Sequence, residues 1–155
     1  EYIERAYPQH SLLPSSPFDI AKVQELSQFI ELYFELVARR LVVNLLTGLE
    51  PDPAVVKEVE ASLNKAAAAL TKLSTFEQFA YGDQFTLADI AVILNLPIVR
   101  GVGKKFLGRD PLSDVPGLDA YCARMEERAN VKKIRADAAA DQAGFMAHLK
   151  NLYGL

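Results

Sequence analysis

Apolar residues recur along this chain at helical spacing. From Val23 they return at Leu26, Ile30, Tyr33, Val37 and Leu41, three or four residues apart, which puts them on one face of an α-helix. Ser16 can cap that helix and Pro17 suits its first position. Thr47-Gly48 offers the stop, since glycine accepts the left-handed backbone that closes a helix. The pattern therefore predicts one helix from Pro17 to Leu46, more than about 40 Å long. Phe29, Leu32, Phe34, Leu36 and Val42 fill positions beside the main stripe. A helix this apolar needs cover on several sides, and another domain or subunit is one source of it.

A second helix is predicted after Asp52 and Pro53, with a stripe of Val55 or Val56, Val59, Leu63, Ala66, Leu70 and Leu73. The stretch "YGDQFTLADI", Tyr81 to Ile90, then carries the most explicit helix start in the chain. Thr86 can cap, Asp89 three residues on can return a bond to the cap's own N–H, and Phe85 and Ile90 occupy the two staple positions. The following run, "IAVILNLPIV", is ambiguous between a buried strand and a buried helix by period alone. The capping box decides for helix, and an apolar helix of this kind belongs at the centre of a bundle, where its start must be capped by protein. Pro97 is expected to kink or end it.

Beyond it, a helix is expected from about Pro116, with Asp114 as its cap and Leu118, Tyr121, Cys122 and Met125 inward. A last helix is expected with Asn130 as cap. There Val131, Ile134, Phe145, Leu149 and Leu152 would face inward, and Gly144 is a candidate break. No segment reads as a strand. The expected architecture is all-α, a bundle of five or six helices around a central buried helix.

Composition narrows the class. The chain has 155 residues, half of them apolar, with 17 basic and 20 acidic side chains. This is the composition of a globular domain, and the charge balance gives no reason to expect nucleic acid or an anionic membrane as partner. The longest apolar run is too short to span a bilayer. One cysteine, Cys122, rules out an intrachain disulfide and fits a reducing, cytoplasmic setting. The opening "EYIERAY" reads as the last turns of a helix, closed by Pro8, and predicts that the chain is a piece of a longer polypeptide.

Free-standing chemistry is sparse. His10 and His148 lie far apart, and no His or Cys pair has metal-ligand spacing, so no metal is expected. "RGVGKKF", Arg100 to Phe106, lacks the spacing of a phosphate loop and reads as a helix stop with solvated lysines. Cys122 falls on an apolar stripe, as a structural thiol does. Arg39 and Arg40, within so apolar a helix, suit either structural ion pairs or an anionic ligand.

Three stretches together resemble one known family. "EYIERAYPQHSLLP" is similar to the junction after the glutathione-binding domain of cytosolic glutathione transferases. "FAYGDQFTLADI" resembles the box that opens the central helix of their C-terminal domain. "DVPGLDAYCARMEERANVKKI" resembles a later helix pair, with Ala129-Asn130 where that family has proline and Tyr121 where tryptophan is common. The resemblance implies that residues 1–15 are the end of the preceding domain's last helix and a linker, and that residues 16–155 are the helical C-terminal domain. It implies a thioredoxin-like N-terminal domain, outside this sequence, that holds glutathione and activates its thiol. No covalent cofactor is implied; glutathione is the co-substrate of the parent.

Under that resemblance the first long helix walls the electrophile pocket. Phe34, Val37, Ala38 and Leu41 are the expected lining and Glu31 the residue nearest glutathione, with plain core as the alternative for the same face, while Thr86, Asp89, Phe85 and Ile90 are structural. No catalytic residue is expected in this chain, and it is expected to be inactive alone. A homodimer is expected, built on the helices between Ser16 and Leu73. The alternative is a non-catalytic module of the same fold that docks a protein partner.

Overall fold

The computed structural model describes residues 2–154, the side chain of Arg5 excepted. The described residues form helices and loops with no strand, so the all-α expectation holds. A short helix α1 (Tyr2–Ala6) and a 3₁₀ turn (Pro8–His10) lead into the bundle. Then α2 (Pro17–Ile30) starts where Ser16 Oγ accepts from the Asp19 N–H at 3.5 Å, with Pro17 at the first position.

The first long helix is not α-helical throughout. A π-helical turn (Glu31–Glu35) joins α2 to α3 (Leu36–Thr47), and the Leu36 N–H reaches back five residues to the Glu31 carbonyl. The wide turn accommodates one extra residue and rotates α3 about the common axis. Phe34, Ala38 and Leu41 therefore continue the buried stripe of Val23, Leu26 and Ile30. Tyr33, expected in that stripe, is 55% exposed, and Val37 is half-buried. Gly48, with φ 78°, closes the helix at the expected stop.

Helix α4 (Pro53–Leu73) is capped by Asp52, whose carboxylate accepts from the Ala54 N–H at 2.8 Å, and buries Val59, Leu63, Ala66 and Leu70. It packs antiparallel against α3 across the short turn 48–52. The central helix α5 (Leu87–Val102) lies against α2, the π turn and α3. Its sides bury Ala88, Val92, Leu96, Val99 and Val102, while Leu94 and Pro97 remain exposed.

Pro97 neither ends nor breaks α5, which runs on to Val102. A proline removes the hydrogen bond that its position would give to the carbonyl four residues back, here Ile93. That carbonyl accepts instead from the Arg135 guanidinium at 2.9 Å, and Arg135 also pairs with Glu126 at 2.8 Å. The missing intrahelical donor is thus replaced from the last helix.

The "RGVGKKF" stretch does not stop α5 either. It continues as a second π turn (Gly103–Leu107) with Lys104 and Lys105 exposed, and Gly108 at φ 68° ends it. Gly103 is required there, because a Cβ would lie 2.2 Å from Pro111 Cδ. Helix α6 (Leu118–Glu126) starts two residues later than Pro116, with Gly117 and not Asp114 at its N-cap. Gly117 has φ 76°, and a Cβ there would sit 2.6 Å from the Thr75 carbonyl.

Helix α7 (Ala129–Tyr153) departs most from expectation. Arg128 holds the N-cap position without a side-chain cap, Asn130 lies inside the helix, and Gly144 does not interrupt it. Only Val131 is buried. Phe145 and Ile134 are each 48% exposed and Leu152 66%, while Leu149 is half-buried; α7 meets the bundle chiefly through α3 and α6, and that contact leaves most of its apolar side chains uncovered.

Arg135→Ala should destabilise the fold by about 1–3 kcal/mol, since it leaves a half-buried carbonyl without a donor. In a Pro97→Ala background the same change should cost less, because the helix then supplies its own donor. Chemical denaturation of the four proteins of this cycle measures the coupling.

Candidate functional site

The start of α5 is the most heavily built point of the structure. Asp89 and Thr86 are completely buried. One carboxylate oxygen of Asp89 accepts from the Ala80 N–H and from the Tyr121 hydroxyl, each at 2.8 Å. The other accepts from the Thr86 N–H at 2.7 Å and from the Thr86 hydroxyl at 3.2 Å. Four donors and the positive end of α5 stabilise a charge that would otherwise be costly to bury. Among the described residues no buried side-chain polar atom lacks a partner.

The loop from Ser74 to Phe85 is shaped around this carboxylate. Ser74 Oγ donates to the Ala80 carbonyl at 2.6 Å and accepts from the Phe76 N–H at 3.1 Å. Phe76 is held at φ 53°, an unusual backbone for a bulky residue. Its ring packs against Tyr121 with centroids 5.2 Å apart. Arg124 donates to the carbonyls of Phe76 and Glu77 from α6. Burial, then the neighbouring carboxylate, pushes the Tyr121 phenol far above the ordinary tyrosine range. Phe85 and Ile90 are both half-buried at the mouth of this assembly, and Arg128 lies over the Phe85 ring at 4.3 Å.

Two apolar grooves flank α5 and α2. The first, about 650 Å³, runs between the segment His10–Leu12, α5 and α7 and is lined by Leu12, Phe85, Ile93, Leu94, Val131 and Ile134, with Arg128 at its edge. The second, about 690 Å³, lies between α2 and α4, with Phe29, Leu32, Tyr33 and Leu73 as its apolar wall. Phe29 stacks on Tyr33 at 5.0 Å and meets Phe34 edge-on at 5.9 Å.

The residues expected to line an electrophile pocket are divided by burial. Phe34, Ala38 and Leu41 have no exposed surface and belong to the core. Val37 is half-buried against that core and Glu31 is exposed. Arg39 and Arg40 are both paired, with Glu35 and with Glu58. The Glu35 partner is nearly buried, a feature of the π turn that the spacing of apolar residues does not reveal. Cys122 is half-buried; burial pushes its thiol up, while the nearby Arg100 acts in the opposite direction. Among the described residues no three His, Cys, Asp or Glu side chains are grouped to hold a metal ion. No helix is long and apolar enough to cross a membrane, again among the described residues.

A family model described as "Glutathione S-transferase, C-terminal domain" matches residues 36–124, more than half of the chain. The chain belongs to the glutathione S-transferase family. A glutathione S-transferase of Pseudomonas putida is 34% identical over 151 residues, covering 97% of this chain and 69% of the relative. Among solved structures, the holo structure of Maleyl Pyruvate Isomerase, described as a bacterial glutathione S-transferase in zeta class, matches with a TM-score of 0.62. That match is 20% identical and covers 85% of this chain and 62% of the other, so it speaks for the fold alone. In glutathione S-transferase terms, the box at Thr86 and Asp89 opens the core helix of the C-terminal domain.

Asp89→Ala should cost about 3–5 kcal/mol, because it strands several buried donors at once. Asp89→Asn should cost less, since one oxygen can still accept from Ala80 and Tyr121. Denaturant midpoints at neutral pH rank the two. The raised Tyr121 pKa fixes a second outcome. The contribution of the protonated phenol is fully present below about pH 10, the ordinary tyrosine value, and is lost above it, where the unfolded chain releases the proton and the native state does not. The loss should approach ~1.4 kcal/mol per pH unit. Tyr121→Phe, measured beside the parent from pH 9 to 11, should remove that share of the slope.

Proposed function

We propose that this chain is the helical substrate-binding and dimerisation half of a glutathione transferase. The parent would join the thiolate sulfur of glutathione to a small apolar electrophile. In the simplest such reaction a C–S bond forms at an activated aromatic carbon and chloride leaves.

The observation that carries the reading is the open apolar surface of a chain that belongs to this family. The groove between His10–Leu12, α5 and α7 leaves Leu94 and Ile134 half exposed. The chain spans 69% of the Pseudomonas putida relative and 62% of the Maleyl Pyruvate Isomerase chain. A glutathione-binding half would cover that groove, and the electrophile would lie between the two halves. None of the face expected to wall the pocket lines that groove: Glu31 and Val37 are accessible elsewhere on the first long helix, and Phe34, Ala38 and Leu41 are core, so the electrophile is assigned to Leu94, Ile134 and their neighbours instead. The α2–α4 groove, with Leu32 and Tyr33 each more than half exposed, would be the homodimer surface. The single thiol, half-buried with its pKa raised, is poorly suited to activating glutathione, so catalysis is assigned to the other half. A reducing cytoplasm is the setting proposed for an enzyme of this kind.

Conjugation of a chlorinated nitroaromatic to glutathione, followed by absorbance, tests the reading. The 155-residue chain should give only the uncatalysed rate, and a polypeptide carrying the glutathione-binding half ahead of it should give a clear enzymatic rate. Turnover by the 155 residues alone would overturn the assignment of catalysis to the other half. An inactive longer polypeptide that co-purifies with a stoichiometric protein partner would support the interaction-module reading.

A further inference from the structure

The segment between α1 and α2 crosses the start of the central helix, and hydrogen bonds hold it from both sides. The Glu4 carboxylate, on α1, accepts from the Leu12 N–H at 2.7 Å and from the Ser11 hydroxyl at 2.9 Å. Ser11 Oγ in turn accepts from the Leu13 N–H at 3.1 Å. The Leu12 carbonyl accepts from the Leu87 N–H at 3.1 Å. Leu87 is the first residue of α5, and its N–H has no partner within the helix. The same short segment, His10 to Leu12, forms one wall of the groove in which Leu94 and Ile134 are exposed.

We propose that His10–Leu12 is a strap and Glu4 its latch, together coupling the position of α1 to the start of α5 and to the width of the adjoining groove. The coupling rests on the order of the contacts. Glu4 fixes the Leu12 peptide on its N–H side, and the carbonyl of that same residue supplies the acceptor for α5. Shifting or releasing α1 withdraws Leu12, leaves the first donor of α5 without a protein partner, and opens the groove along its His10–Leu12 wall. The Asp89 carboxylate is a separate anchor. It holds Thr86 and Ala80 whether or not the strap is in place, so the strap can move without unwinding the helix.

The geometry supplies two independent ways to cut the chain of bonds. Glu4→Ala removes the latch. Leu87→Pro removes the donor at the other end, and proline is well tolerated at the first position of a helix. The preceding residue must then be extended, and Thr86 already is, with φ −132° and ψ −179°.

Amide hydrogen exchange measured by NMR on the full 155-residue chain tests the coupling. Glu4→Ala should raise the exchange rate of the Leu87 amide at least fivefold, and Leu87→Pro should raise that of the Leu12 amide at least fivefold. The Ala80 amide, bonded to Asp89, should stay within twofold in both and serves as the internal reference. Should Glu4→Ala fail to fold, the Leu12 rate in Leu87→Pro decides alone. A smaller rise at the distant amide, in a variant whose Ala80 amide remains protected, would overturn the proposal. So would an equal acceleration of Ala80, which would mean that strap and cap open as one unit.

Discussion

A carboxylate with no exposed surface can be tolerated in a protein interior only if the surrounding groups replace water, and the arrangement around Asp89 meets that demand from three directions. The Thr86 peptide comes from its own helix start, the Ala80 peptide from the preceding loop, and the Tyr121 hydroxyl from α6. Each donor is useful only in one position, so the charge fixes where α5 begins, how the loop 74–86 folds, and how α6 leans on the core. The unusual backbone of Phe76 and the need for glycine at 117 both belong to this crowding. Each is a local cost borne where the loop must pass between α5 and α6.

Burial then divides the molecule by role. The inner faces of α2, α3, α4 and α5 form one core, and the faces left open are themselves apolar. Leu32 and Tyr33 on one side and Leu94 and Ile134 on the other are not needed to hold the bundle together. Isolated exposed apolar side chains are ordinary, but here they are gathered into two grooves.

Much of the bundle can be read from the chain because apolar spacing and capping chemistry are local signals. Ser16-Pro17, Asp52-Pro53 and Thr86 to Asp89 mark helix starts that the structure shows within a residue, and Gly48 marks a stop. The π turn at Glu31–Glu35 is not legible, since it changes no residue type and only rotates the stripe, exchanging Tyr33 for Phe34 and Val37 for Ala38. That rotation also puts two of the expected pocket residues, Phe34 and Ala38, into the core, where Leu41 joins them on the stripe its spacing already predicts. Pro97 misleads as a helix end for a different reason: α5 continues past it, and the carbonyl it leaves without a donor is served by Arg135, far along the chain. The far half of α7 misleads because a helical apolar pattern shows which residues share a face but not whether anything covers it.

The dependence of α5 on Arg135 has a consequence for the order of assembly. A ribosome delivers Ile93 and Pro97 well before Arg135, and Asp89 well before Tyr121. During that interval the central helix lacks one donor along its side and its cap lacks another. Helices α2 to α5 can gather as they emerge, but the helix they surround becomes fully hydrogen-bonded only when the C-terminal part of the chain arrives. Tyr121 and Arg135, made after the helix they serve, therefore complete the middle of the fold, and a nascent chain stopped short of them would expose an unfinished core.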